Sequence, residues 1–297
     1  MPKLGTTALL FALLLTAFRG YTEDLPPPSQ PPEQLVREVV YNELHDHQQH
    51  GYWRYWIARR VQNETMLEQQ VETAGGPITV VTQANGHPLS GTAEQQEQAR
   101  LNRLLASPQE QARHLRQYGQ DEARVGRILA LLPDAFLFQY DGEENGCYRL
   151  RFRPNPSYPA HSTEERVFHA MSGTLWLDAR YKRLAGLEGR VGENVDFGFG
   201  LLGRLYKGGW FRMERVRVSA TDWKTSRLEM HMNIRALLVT SFSRETSEIR
   251  GGFTAVPAGL SMAQGISLLE HTPATQSSPA ALPASFGQPG LDFAFNP

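Results

Sequence analysis

The run HDHQQHG at residues 45–51 holds three of the chain's nine histidines together with an aspartate. On a helix, side chains three or four positions apart share a face. Asp46, His47 and His50 satisfy that spacing, and three protein ligands are what a catalytic zinc site uses. His45 and His47 are two apart and point away from each other. The spacing matches no zinc signature such as H-E-x-x-H. Histidines in the last turn of a helix are favoured by its dipole, and the glutamines between them suit a solvated surface. The simpler reading is therefore a solvated helix end, with Asp46, His47 and His50 kept as weak metal candidates.

Other chemistry has less support. No G-x-S-x-G nucleophile elbow occurs. Cys147 is the only cysteine, which excludes an internal disulfide and any multi-cysteine metal site. It falls in a strand-like stretch and reads as a packed thiol. Gly198, Gly200 and Gly203 lie in an apolar run that does not open a helix, unlike a nucleotide-binding loop. No acid–base pair stands out, so the expectation is a protein that is not an enzyme and carries no cofactor. The net charge of −1 over 297 residues lacks the basic footprint of a nucleic-acid binder.

The elements that position these residues follow from periodicity. Residues 1–20 read as a secretory signal, with Lys3 before the apolar run LGTTALLFALLLTAF. The alternative is an uncleaved anchor. Either way the expected location is periplasmic or secreted. PPPSQPP makes 21–32 a Pro-rich linker, and the Pro/Ser/Ala-rich 272–297 reads as a disordered tail. Residues 33–271 form the expected folded domain. Leu35, Val36, Val39 and Val40 mark a helix ending near Gly51.

Strands are then expected at 52–61, 65–73 and 78–84, with a turn at Asn85-Gly86. A helical insert is expected at 92–132; within it the capping box Ser107-Pro108-Gln109-Glu110 starts a helix that Gly119 ends, and a further helix follows. Strands resume with CYRLRFR, whose arginines Arg149, Arg151 and Arg153 share a wet face, then ERVFHAM (165–171), GTLWLDA, RLAGLEGRV and RMERVRV. The longest, 227–242, alternates Leu228, Met230, Met232, Ile234 and Leu238 against polar neighbours. The fold class is thus mainly β (α+β). It is a large curved antiparallel sheet of nine to eleven strands, a half-open β-barrel with an N-terminal helix and a helical lid.

Several stretches carry a resemblance: GHPLS (86–90), LPDAFLFQYDGEE (132–144), YRLRFRPNP (148–156), GTLWLDARYKRLAGLEGRV (173–191), VDFGFGLLGRLYKGGWFRMERVRV (195–218) and ALLVTSFS (236–243). Over about residues 40–257 the chain resembles a secreted, acidobacterial-type family of uncharacterised proteins. That family is similar in turn to the outer-membrane lipoprotein-sorting proteins of the LolA/LolB/RseB fold. The stretch WKTSR (223–227) departs from the pattern, which carries Trp, an apolar residue and Pro before a basic residue. The resemblance implies a half-barrel that binds a lipid or a lipoprotein's acyl chain in its concavity. The lining would be Leu228, Met230, Met232, Ile234, Leu238 and Trp176, and the protein would be a monomer. The alternative is an envelope protein-interaction or sensory module with a filled core. A metal-dependent hydrolase is a distant third.

Overall fold

The computed structural model describes residues 28–45, 51–197, 203–236 and 240–271. Asp46, His47, His50 and Leu238 lie outside them, as do the expected leader and tail. In chain order the elements are α1 (Pro32–His45), β1 (Tyr52–Val61), β2 (Glu64–Val71), β3 (Ile78–Ala84), β4 (His87–Pro88), α2 (Gly91–Ala106) and α3 (Pro108–Ala135). There follow β5 (Phe136–Glu144), β6 (Cys147–Pro154), α4 (Thr163–His169), β7 (Met171–Asp178), β8 (Leu184–Val191), β9 (Val195–Phe197), β10 (Gly203–Leu205), β11 (Trp210–Arg217), β12 (Trp223–Ala236), β13 (Thr240–Val256) and α5 (Met262–His271).

All thirteen strands join one open antiparallel sheet, ordered β4-β3-β2-β1-β13-β12-β11-β8-β7-β6-β5, with β10 and β9 appended to β12. The order explains why the chain needs a long helix. After β4 it stands at one edge of the sheet, and β5 is the other edge. The 28 residues of α3 span about 42 Å and carry the chain across.

The strands are amphipathic, and their registers align the apolar side chains. One row runs Tyr140, Leu150, Leu175, Leu187, Met213, Leu228, each paired with the next on the neighbouring strand. These residues point to the inner face. The outer face carries polar and charged residues in the same register: Arg151, Thr174, Glu188, Arg212, Glu229. Opposite charges on adjacent strands support one another and keep that face wet. Arg149 and Arg151 lie there, at 3.1 and 3.0 Å from Asp141, and so belong to a solvated strand face.

Helix α1 buries Leu35, Val36, Val39 and Val40 against the inner face, in a core with Phe136, Phe138, Leu150, Leu175 and Leu177. A buried ion cluster fixes its C-terminal end. The Glu43 carboxylate lies 3.0 Å from Arg183 and 2.7 Å from Arg215, and it accepts the Leu184 amide at 2.9 Å. On the other side of the sheet α2 and α5 pack over β2 and β3 around Val71, Ile78, Leu101, Met262 and Ile266. The free edge of β3 is capped by α2. Glu97 accepts the Val81 amide at 2.9 Å, and Arg100 donates to the Thr79 carbonyl at 2.6 Å. Such capping keeps an edge strand from pairing with another chain.

Four expectations change. The stretch 165–171 is α4 rather than a strand, because Ser162 accepts from the Glu165 amide and the Glu165 carboxylate accepts from the His161 amide. That reciprocal cap starts a helix. The insert does not break at Gly119: α3 runs on to Ala135, with Pro133 in its last turn, where one lost backbone bond is tolerable. The strand expected at 227–242 is two, since Ala236 pairs with Thr240 and the chain doubles back between them. Residues 262–271, where periodicity indicated no element, form α5.

Burial works against the Glu43 charge, but Arg215 and Arg183 outweigh it and hold the carboxyl below its ordinary value of about 4.5. Glu43→Gln leaves two buried guanidinium groups short of a partner and should cost about 3 kcal/mol in chemical denaturation at pH 7. A lowered carboxyl gives stability that is present above the unfolded value and lost as pH falls through the folded one. The gap between wild type and Glu43→Gln should therefore narrow as pH falls below about 4.5 and go on narrowing as Glu43 protonates in the folded state. A gap that stays constant from about pH 5 down to about pH 2 would show that the cluster does not act through charge.

Candidate functional site

The inner face is not uniformly covered. Residues under α1 on β6 and β7, such as Leu150 and Leu175, are fully buried. Beyond the helix, Leu187 on β8, Phe211 and Met213 on β11, and Leu228, Met230 and Ile234 on β12 are only half-buried, while Met232 is buried. These side chains form a continuous apolar floor across three neighbouring strands. Phe211 lies over Gly189, where an added Cβ would collide with the ring, so the glycine makes room for the aromatic.

Helix α3 passes on the same side. Leu129 and Leu132 of its inward face pack into the core with α1. Continuing that face toward the N-terminus at 100° per residue reaches Val125, Tyr118 and Leu115. These three are 56%, 39% and 48% exposed. The helix therefore has an apolar face that is packed at one end and uncovered along its middle. Its N-terminal half is tied to the opposite sheet edge, where a His114 ring nitrogen lies 2.9 Å from the Pro77 carbonyl. A floor with half-buried apolar residues and a bridging helix with exposed ones are what an apolar guest requires.

At Leu228 the floor changes character. Its partner on β13 is Glu248, and Glu248 pairs with Arg59 on β1. Arg59 lies 3.1 Å from Glu248 and 3.4 Å from Glu68, and Arg250 lies 2.7 Å from Glu248. Glu68 and Glu248 are buried. Nearby, Thr79 donates to Gln70, which in turn bonds the Tyr55 hydroxyl. Burial raises the Glu68 carboxyl above its ordinary value, against the pull of Arg59. Burial also raises the Tyr55 phenol. The inner face thus joins an apolar half to a compact charged half.

Four residues of the expected lining, Leu228, Met230, Met232 and Ile234, stand together on this face. Trp176 does not. It pairs with Arg149 and Gly186 on the outer face, and its indole donates to Glu144 at 2.8 Å. Alternation within GTLWLD separates Trp176 from Leu175 and Leu177, which face inward. Sequence reasoning missed Phe211, Met213 and Leu187, whose role depends on β11 and β8 lying next to β12. It also missed the charged cluster, because Arg59, Glu68 and Glu248 come from three distant segments. His45 stacks on Tyr41 with ring centroids 4.0 Å apart, as suits a helix end. Among the described residues no group of three or more His, Cys, Asp or Glu is placed to hold a metal ion. The Cys147 thiol is half-buried and pushed up to about 11, mainly by burial, with Asp178 and Glu144 adding to the shift. It is not a thiolate at neutral pH.

No family model matches the chain, and no curated protein does. A DUF1329 family protein from Desulfovibrio piger is similar in structure at 10% identity and a TM-score of 0.25, covering 81% of this chain and 100% of its own. The MucA/MucB complex of Pseudomonas aeruginosa is similar at 7% identity and a TM-score of 0.21, covering 79% of this chain and 95% of that one. Likenesses this distant carry no argument about what the chain does.

The raised Glu68 carboxyl has a measurable consequence. Its charged form is disfavoured in the folded state, so wild type should lose stability as pH rises from the ordinary carboxylate value through the folded one. Glu68→Gln removes that loss. At pH 7.5 the variant should be at least as stable as wild type, with any advantage gone near the ordinary carboxylate value. A variant clearly weaker at pH 7.5 would mean that the Arg59 contact outweighs the desolvation.

Proposed function

We propose that the protein holds the acyl chain of a lipid or lipoprotein on the inner face of its sheet, as a non-enzymatic carrier of the cell envelope. The observation that carries this is the half-buried apolar floor of Leu187, Phe211, Met213, Leu228, Met230 and Ile234, together with the exposed Leu115, Tyr118 and Val125 of α3. Methionine side chains adapt to irregular apolar partners, and two of the six floor residues are methionine. The charged group at Arg59, Glu68, Glu248 and Arg250 would meet the polar end of the guest. No catalytic residue is needed, since each buried methylene contributes about 0.8 kcal/mol. Burying about eight methylenes gives about 6 kcal/mol, a dissociation constant in the tens of micromolar. A periplasmic or secreted location fits a carrier of this kind. Among the described residues no helix is long and apolar enough to cross a membrane.

A fluorescent fatty acid should bind the purified protein with at least that affinity, and lipid should appear in native mass spectra after gentle purification. Met230→Trp fills the floor with a larger apolar group. It should weaken binding about tenfold, equivalent to about 1.4 kcal/mol, while the unfolding midpoint stays within a few degrees of wild type. Unchanged binding by a folded Met230→Trp protein would sink the assignment of this face.

A further inference from the structure

On the outer face of β1, away from the proposed acyl site, Arg54 is 7% exposed. Its Nε and Nη2 are fully buried and have no hydrogen-bond partner among the described residues. Its pKa is lowered by burial alone, with no nearby charge contributing. A guanidinium stays charged at any physiological pH, and a buried unpaired cation is expensive. Arg183, equally buried, is paired: its Nε and Nη2 grip Glu43 at 3.0 and 3.2 Å. The surface pair Arg204–Asp196 uses the same edge. In Arg54 that same edge, the one whose two parallel N–H groups match two oxygens, meets no acceptor among the described residues.

The surroundings form a small enclosure. Arg54 pairs across the sheet with Val71 and Thr254, and its neighbours along the strand on the same face are Tyr52 and Trp56, both half-buried. Trp56 leans away toward β13, where a Cβ added at Gly251 would lie 2.6 Å from its ring. Helix α5 sits close over Val71: a Cβ added at Gly265 would come 3.1 Å from the Val71 side chain and 2.7 Å from Thr73. Arg54 thus sits on the sheet face that α5 covers, paired with Val71 beneath the helix and flanked along the strand by two aromatic residues.

We propose that the Nε/Nη2 edge of Arg54 is a receptor for an oxyanion, a carboxylate or phosphate group presenting two oxygens. Because the edge is closed to water, an anion reaches it only when neighbouring side chains shift. The site is independent of the acyl reading, since it lies on the opposite face of the sheet.

Thermal unfolding of the full chain at pH 7 and matched ionic strength tests this, with sodium phosphate and sodium acetate each compared against chloride. Wild type should gain about 2 °C or more in at least one of the two anions, rising with concentration as ligand linkage requires. Arg54→Met, which keeps the length and removes the charge, should show no gain. A gain with phosphate alone assigns a phosphate group, and a gain with acetate alone a carboxylate. Should Arg54→Met fail to fold, Arg54→Lys keeps the charge but loses the paired edge, and its gain should fall by at least half. Titrating phosphate or acetate into protein labelled with ¹⁵N-arginine should also shift one protected Nε–H resonance, which the variants lack. Equal responses of wild type and variants, or no anion-specific gain, overturn the proposal.

Discussion

An α-helix is about 10 Å wide, and strands in a sheet lie about 4.8 Å apart. One helix laid on a sheet therefore shields two or three strands. The inner face of this sheet follows a path of eleven strands, and α1 shields the part centred on β5 to β8. That mismatch governs the rest of the structure. The apolar side chains nearest α1 are fully buried. Those on β11 and β12 are of the same chemical kind and in the same register row, yet they are only half-buried. The long crossing helix α3 spans the remaining width without its apolar middle being covered.

The two faces meet this constraint differently. Outside, alternating charges on β6, β7, β8, β11 and β12 satisfy one another and need no cover. The β2–β3 end is closed by α2 and α5, with Glu97 and Arg100 occupying the backbone groups of the free edge. Inside, burial is completed by ions where apolar packing stops. Glu43 with Arg183 and Arg215 pins α1 at one side, and Arg59, Glu68, Glu248 and Arg250 occupy the other. Buried ion pairs add little net stability compared with apolar packing, but they fix geometry because breaking one is costly. Both clusters border the half-buried floor and so hold its shape without filling it.

Much of this was legible from local pattern. Periodicity placed α1, and it placed β3 at the boundaries observed. The Ser107 cap located the start of α3, whose N-cap side chain accepts from the Glu110 amide at 3.2 Å. The features that were missed have physical causes. The reversal between β12 and β13 left the register even-to-even: Ala236 pairs with Thr240 and Ile234 with Phe242. Periodicity therefore carried no mark of the turn. Helices α4 and α5 had a signal, a polar cap residue with Glu or Gln three positions later. Ser162 with Glu165 and Ser261 with Gln264 are such pairs, and at α4 the cap outweighs the strand-like composition of the residues after it. The charged cluster and the Arg54 enclosure depend on long-range pairing, which no local pattern encodes.

The central claim is that the half-buried floor of β8, β11 and β12 receives an acyl chain. Methyl NMR reads this directly, because the methionines sample different regions of the fold. On adding a fatty acid to protein labelled with ¹³C at the methionine methyls, Met213, Met230 and Met232 should shift and show contacts to the chain's methylenes. Met262, the first residue of α5, packed near Val71 and Ile78 on the other side of the sheet, should not. Shifts confined to Met262, or none at saturating ligand, would contradict the account.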